Sequence, residues 1–452
     1  MQDSTVDSGA GPAPATAAIE APVYDKSAQW RALSIFVVLF ALSYLDRRII
    51  TLLVDPIRKS LGASDFQMGL LQGFAFVVFF VACSIPIGWA VDRFSRRKII
   101  FGGLVTWSFF ATAGGFANSF TQLLFTRFGV GAGEASLQPA VHSTLADLFP
   151  RDRLTKALSI FAIGGIIGAA LSVGVGGVVI GMAEGAGGMT VPIIGHVEPW
   201  QMVFIITGVP GLLLSGMVFL LPEPRRAKAH VAAAKTGYRG ALAYMLRHKR
   251  FYGNHFVAFS IVGLIAAGFN SWAPTALLRN FDVPVAQVGL ILAALQMTCG
   301  IGGMLIPGHF VDKLFRRGKR DAHMRYYMGS VVVLALAGVM FGFAPNVVVA
   351  FIAIGLFDLA VGFFPVAGSA LQVTTPSHYR GQVTSTFLAV YYVFGQGLGP
   401  AMVATFTDFV FGDDRAISLA IAATCMVTLP IALIAFWFGM KGMRDVEAEM
   451  VD

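Results

Sequence analysis

Charge is scarce in this chain of 452 residues: Asp, Glu, Lys and Arg together make 13%, about half of the roughly 25% in an ordinary soluble domain. With 56% hydrophobic residues and a mean hydropathy of +0.72, that balance excludes a soluble globular protein and points to a polytopic membrane protein. Cysteine is nearly absent. Cys83, Cys299 and Cys425 fall far apart in apolar runs, which excludes a disulfide framework and a redox site. No Walker-type phosphate loop occurs, so ATP drive is not expected. No metal-spaced His/Cys cluster and no nucleophile elbow occurs either, so the chain is read as neither an enzyme nor the holder of a metal or cofactor. None of the asparagines, such as Asn118 or Asn346, begins an N-x-Ser/Thr sequon, as suits a bacterial protein. Residues 1–30 are rich in Ala, Pro and Asp and lack a basic stretch followed by a short apolar core. They are read as a disordered tail and not as a cleaved signal. The net charge of +8 does not point to nucleic acid, because the basic residues cluster in short loops between apolar runs.

Those runs are what the chain has in abundance. They lie at approximately 31–54, 66–91, 99–117, 120–148, 154–181 and 200–221, then at 251–279, 284–311, 325–343, 346–373, 381–409 and 414–439. A bilayer span needs about 20 mostly apolar residues, so the expected fold is an all-α membrane protein with twelve transmembrane helices. The division is a tail (1–30), a six-helix half (31–221), a basic linker (222–250) with the makings of a surface helix, a second six-helix half (251–440) and a short tail (441–452). Lys26, Arg31, Arg93 to Lys98, Arg151, Arg153, Lys156, the linker cluster, Lys313 to Arg325, Arg380, Lys441 and Arg444 fall on one side, against Arg58, Lys59, Arg279 and Arg415 on the other. The positive-inside rule then puts both termini and the linker in the cytoplasm, in a multi-pass protein of the cell inner (plasma) membrane. A monomer is expected.

Asp46, Arg47 and Arg48 interrupt the first apolar run, and Arg127 and Glu134 interrupt the fourth. An arginine at the bilayer centre costs about 2.5–3.5 kcal/mol on insertion scales, so such residues face a protein interior or a watery cavity and mark a functional site by default. Arg127 and Glu134 are seven residues apart, about two turns, on one helix face. Either they bind substrate and proton, or they form a structural pair that fixes bundle packing. Asp46 and Arg47 diverge by about 100° around their helix, so they flank one cavity without pointing at one spot. Arg48 turns a further step and is expected to pair elsewhere. A guanidinium offers a planar fork that matches carboxylate or phosphate, which makes Arg47 and Arg127 the anion ligands and Asp46 and Glu134 the proton carriers. Protonation of the two acids would release their hold on the arginines. Asp358 is a further mid-span acid, read as a third titrating group or as a buried acid bonded to hydroxyls. His142 is expected to be packed or hydrogen-bonded.

The halves repeat. Gly88-Trp-Ala-Val-Asp92-Arg93-Phe-Ser-Arg96-Arg97-Lys98 returns as Gly308-His-Phe-Val-Asp312-Lys313-Leu-Phe-Arg316-Arg317, an offset of 220, and Pro150-Arg-Asp-Arg153 returns at Pro376 to Arg380, an offset of 226. Duplicated halves are a known transporter build. The G-x-x-x-D-R-x-x-R-R-K loop, its degenerate copy and the Pro222-Glu223-Pro224-Arg225 exit from the sixth run resemble the major facilitator superfamily over about residues 31–440. Tyr44-Leu-Asp46-Arg47, Arg127 to Ser136, Ala146-Asp147-Leu-Phe149 and Leu158 to Phe161 are similar to the spinster family of lysolipid and sphingolipid transporters, in its bacterial form. Proton-coupled organic-anion symporters of the superfamily share the Asp-Arg pair and the acid in the fourth run. The resemblance implies alternating access, a proton as the coupling ion, and a latch between the halves formed by Asp92, Arg93, Arg96 and Arg97 with acids such as Asp147 or Glu223, weaker around Asp312.

Spans five and eleven carry Gly164-x-x-x-Gly168 and Gly395-x-x-x-Gly399, faces for close packing or for sliding. Asn270, Trp272, Tyr391, Tyr392 and Gln396 are candidate cavity liners from the second half, beside Tyr44 from the first. The second half has no counterpart of Arg127 or of the Asp46-Arg47 pair. Charge on one wall and apolar surface on the other suits an amphipathic anionic lipid, such as a lysophospholipid or a sphingosine-1-phosphate-like molecule. A small organic anion such as a sugar acid is the alternative substrate, and an uncoupled lipid scramblase or sensor is a third reading.

Overall fold

The computed structural model describes residues 25–185, 187, 189–191, 195–222, 238–281, 283–376 and 378–451. The expected tail up to residue 24, most of the linker with Glu223, and the side chain of Asp92 lie outside the described residues. The rest folds into twelve helical rods. The first six are α1 (26–52), α2 (65–93), α3 (Arg96–Gly114), α4 (120–148), α5 (Arg151–Gly185) and α6 (Pro199–Leu220). The second six are α7 (Lys249–Asn280), α8 (Val285–Arg316), α9 (Ala322–Gly342), α10 (Val347–Thr374), α11 (Arg380–Phe411) and α12 (Ile417–Val451). Among the described residues nine of them, α2 and α5 to α12, are long and apolar enough to cross a membrane. The other three, α1, α3 and α4, carry the intramembrane ions or the Arg96-Arg97-Lys98 entry. A short antiparallel hairpin, β1 (Met189–Val191) with β2 (Gly195–Val197), joins α5 to α6.

Polar caps set the starts of the rods. Ser64 and Gln67 form a reciprocal capping box at α2, and Ser95, Ser119 and Asn346 accept from backbone amides at the starts of α3, α4 and α10. Each cap satisfies a donor the helix leaves orphaned, which matters most where water is scarce. Gly62 and Gly412 end helices in the left-handed region at φ 66° and 65°, which L side chains rarely adopt.

Packing joins α1 to α5 and α7 to α11 and α12 within the halves, while α2 meets α11 and α5 meets α8 across them. Small residues permit both cross-half seams. A Cβ on Gly73 would strike the carbonyl of Gly397, and one on Gly289 would strike that of Val173. The Gly164/Gly168 face abuts Val37 and Ala41 of α1, and the Gly395/Gly399 face abuts Ser260 and Leu264 of α7. Both faces therefore close seams inside a half.

The bundle has a terminal face, where α1 begins and α12 ends, and a distal face opposite. At the terminal face, residues 441–451, expected as a tail, continue α12, because Met443 and Val446 are buried. A linker helix, Tyr238–Arg247, docks there: the Tyr244 hydroxyl donates to the Thr374 carbonyl at 3.0 Å and Arg247 meets Glu449 at 2.5 Å.

Candidate functional site

The ions of α1 and α4 gather where both helices lose regularity. The α-helical part of α1 ends at Arg48 and tightens into a 3-10 turn at Ile49–Leu52. The first segment of α4 ends at Glu134 and a second begins at Leu137. Ser43 Oγ donates to Glu134 Oε2 at 2.7 Å, and Arg47 Nη2 pairs with the same oxygen. Arg127 does not pair with Glu134 among the described residues; its Nη1 donates to the backbone carbonyl of Asp46 at 3.3 Å. Asp46 is 1% exposed, and neither carboxylate oxygen has a hydrogen-bond partner, nor has Oε1 of Glu134.

Aromatic rings complete the group. The guanidinium of Arg47 lies 4.2 Å from the Phe76 centroid, 5.0 Å from Tyr44 and 5.6 Å from Phe80, and that of Arg127 lies 4.8 Å from Phe204. Such stacking holds an arginine flat without consuming its in-plane donors. Arg47 keeps 18% of its side-chain surface exposed against 1% for Glu134, so Arg47 is the member of the pair that borders open space.

The candidate liners from the second half divide. Tyr392 reaches the Arg47 group, 5.3 Å from Phe80. Asn270 lines a small cavity between the halves together with Arg48, Thr51, Gln296 and Asp358. Trp272 does not line a cavity: it is fully buried, and its indole N–H donates to the Pro400 carbonyl at 2.8 Å, sewing α7 to α11. Tyr391 is buried among Phe363, Phe364 and Phe387, and the Gln396 amide donates to its hydroxyl at 2.8 Å. His142 is exposed, edge-on to Phe161, and not packed as expected.

The arginines of the 88–98 loop act inside the first half in this conformation. Arg96 meets Asp147 at 2.5 Å, Arg97 donates to the Leu221 carbonyl at 2.5 Å, and Arg93 folds back over Trp89. Asp312 is exposed at the end of α8.

The tie between the halves is at the distal face. Arg279 of α7 donates to Asp55 at 2.7 Å and to both oxygens of Asp65 at 2.7 and 2.8 Å. Arg58 meets Asp414 at 2.9 Å and Asp65 at 3.2 Å, and the Phe66 amide donates to Asp408 at 2.7 Å. Among the described residues, ion pairs at the terminal face stay within a half or join the linker helix to the second half. The arrangement is closed distally.

One set of residues escaped the sequence reading although a signal existed. Arg58 and Arg279 stood out as basic residues on the sparsely charged side. α10 breaks after Ala360 as α4 breaks after Glu134, at the same offset of 226 as the Pro150 and Pro376 loops.

The profile of the Major Facilitator Superfamily matches residues 36–400. An MFS-type efflux pump of Mycolicibacterium smegmatis is 25% identical over 430 residues, 93% of this chain and 95% of the relative. Protein spinster homolog 1 of Xenopus laevis is 25% identical over 407 residues, 84% of this chain and 73% of the relative. A probable L-galactonate transporter of Escherichia coli is 25% identical over 324 residues, 68% of this chain and 67% of the relative. Among solved structures, a bacterial homologue of the human lysosomal transporter spinster, inward-facing and unoccupied, superposes with a TM-score of 0.79 at 21% identity, covering 93% of this chain and 98% of that one.

Proposed function

Since the chain belongs to the major facilitator superfamily and is a spinster-like membrane transporter, not an enzyme, we propose that it moves an amphipathic anionic lipid, a lysophospholipid or a sphingosine-1-phosphate-like molecule, together with protons. The observation that carries this reading is the shared oxygen of Glu134, which holds Arg47 by charge and Ser43 by a hydrogen bond. Protonating Glu134 cancels the charge that holds Arg47. The freed guanidinium then turns its fork to a phosphate or carboxylate. Proton and anion thereby bind together, with Arg127, which donates to the Asp46 carbonyl, adding positive charge nearby. The rings of Tyr44, Phe76, Phe80 and Tyr392 give the adjoining part of the substrate an apolar wall.

The charge bias of the loops places the terminal face in the cytoplasm of the inner membrane and the distal face outside. In this orientation the distal ion pairs support a reading of the structure as an inward-facing stage of an alternating-access cycle. Opening outward requires the ties of Arg58 and Arg279 to break while new ones form at the terminal face, with the Asp92 to Arg97 loop as the latch.

Flux of labelled lysolipid into proteoliposomes, with and without a pH gradient, tests the reading. Gradient-driven uptake that disappears in Arg47→Ala supports it. Lipid flux indifferent to the gradient in the wild type refutes the coupling. A second reading, symport of a sugar acid, is favoured by the similarity to the probable L-galactonate transporter. Gradient-driven flux of galactonate without flux of lysolipid decides for it.

A further inference from the structure

The cavity between the halves holds polar groups that the Arg47 site does not use. It is lined by Arg48 and Thr51 of α1, by Phe269 and Asn270 of α7, by Gln296 of α8 and by Asp358 of α10, and it offers about 20 Å³ to the centre of a water-sized group. That is room for about one water.

Its chemistry is unbalanced. Asp358 is 5% exposed, and its Oδ2 has no hydrogen-bond partner; Oε1 of Gln296 is likewise unpaired. Arg48 comes from the opposite half. Among the described residues it makes no hydrogen bond through its side chain and does not approach Asp358 within ion-pair distance, although both line the same cavity. Buried polar groups are nearly always partnered, and the exceptions call for an explanation. The backbone is irregular on two sides of the cavity. Gln296–Gly300 is a π-helical turn in α8, and α10 is interrupted between Ala360 and Phe364. Local irregularities of this kind collect at functional sites.

A cation on one side and two free acceptors on the other define the guest. A phosphate or carboxylate is too large for the space and meets the charge of Asp358. An ammonium can donate to Asp358 but is repelled by Arg48, to which it offers no acceptor. An alcohol satisfies both sides, accepting from Arg48 and donating to Asp358 or Gln296. We infer that this cavity is a hydroxyl-recognition subsite, so that the transported solute carries an alcohol beside its anionic group. The inference rests on the reading of Arg47 as the anion site. Arg47 and Arg48 point about 100° apart around α1, so charge and alcohol are read by adjacent faces of one helical turn. The alcohol comes either from the glycerol of a lysolipid or from a sugar acid.

Matched pairs of probes test it: lysophosphatidic acid against the acyl-propanediol phosphate that lacks its hydroxyl, and galactonate against its monodeoxy series. Affinity is measured on the purified full chain by thermal shift. The wild type is expected to prefer the hydroxylated member of one pair by roughly tenfold or more, since a site built to bond a hydroxyl strongly rejects the analogue without it. The pair that shows the preference identifies the source. In Asp358→Leu the ratio falls to about one, as expected for a lost acceptor. Asp358→Asn and Gln296→Leu, which are gentler on folding, lower it in part. Arg47→Ala weakens both members and leaves the ratio intact. A ratio near one for both pairs in the wild type overturns the inference, as does a wild-type ratio retained in Asp358→Asn and Gln296→Leu together. If Arg47→Ala changes nothing while the ratio still follows Asp358, the anion site is wrong and the hydroxyl subsite stands. Binding of none of the probes overturns both.

Discussion

Removing Arg279 should open the distal face. Arg279 belongs to the second half, and its acidic partners Asp55 and Asp65 belong to the first. The tie exists only while that end is closed. Its environment makes it expensive to lose: the Arg279 side chain is 7% exposed and that of Asp65 is 0%. Breaking a buried ion pair by deleting one partner costs about 3–5 kcal/mol, because a charge is left without compensation. Arg58 remains 3.2 Å from Asp65 and takes up part of that loss, so the lower end applies. About 3 kcal/mol is roughly a hundredfold in the equilibrium between the two states, since tenfold corresponds to about 1.4 kcal/mol. A chain poised at about 99:1 in favour of the closed end would move to roughly equal populations. Spin labels at Ser60 and Phe411, both exposed at the distal face on opposite halves, report the change after the native cysteines are replaced. Arg279→Ala should add a longer distance of comparable weight, and Arg279→Lys should give an intermediate distribution. Asp414→Ala serves as the control. Its side chain is 58% exposed, and exposed pairs contribute about 0–1 kcal/mol, so it should shift the distribution little. An unchanged distribution in a folded Arg279→Ala protein refutes the assignment of this cluster as the tie.

Glu134→Gln mimics the protonated acid. Its anion affinity at high pH should equal that of the wild type at low pH, its pH dependence should vanish, and gradient-driven accumulation should be lost; binding and flux measured across a pH series check all three. Arg47→Lys keeps the charge but neither stacks flat on Phe76 nor presents a fork, so anion affinity in a thermal-shift titration should fall about tenfold or more, the worth of one charge-assisted bond. Trp272→Phe removes the buried hydrogen bond to the Pro400 carbonyl, worth about 0.5–1.5 kcal/mol. It should lower the melting temperature and leave anion affinity within twofold, whereas a loss of affinity without a loss of stability would return Trp272 to the cavity.

The spans and the intramembrane ions were legible because each is a departure from a local background: apolar runs against polar loops, and single charges against apolar runs. The all-α fold follows from the former, and the residues of α1 and α4 from the latter. Pairing was not legible. Spacing along one helix places Arg127 and Glu134 on one face, two turns apart, and that distance is itself why they do not meet. Each finds its partner on α1, where the depth of Asp46 and Arg47 relative to α4 depends on how the two helices are slid against one another. The same limit separates Trp272 from Tyr392. Both are aromatic residues within spans, and only the neighbour decides their role: the carbonyl of Pro400 for one and the ring of Phe80 for the other.

Internal duplication removes little of that limit. The helix starts at Ser64 and Pro284 are 220 residues apart and those at Ser119 and Asn346 are 227 apart, so the repeat places Ala266 opposite Asp46 and Ala360 or Val361 opposite Glu134. The second half thus carries an acid, Asp358, to which the repeat does not point, and the cation nearest to hand comes from α1, whose Arg48 lines the same cavity while Arg47 pairs with Glu134. One helix of the first half thus serves both acids. A rocking motion that moves α10 relative to α1 must change the surroundings of Asp358 while those of Glu134, carried with α1 in the same half, are kept. On the proposed reading the two acids therefore have different tasks: Glu134 exchanges a proton against an anion within one rigid half, and Asp358 meets what lies between the halves.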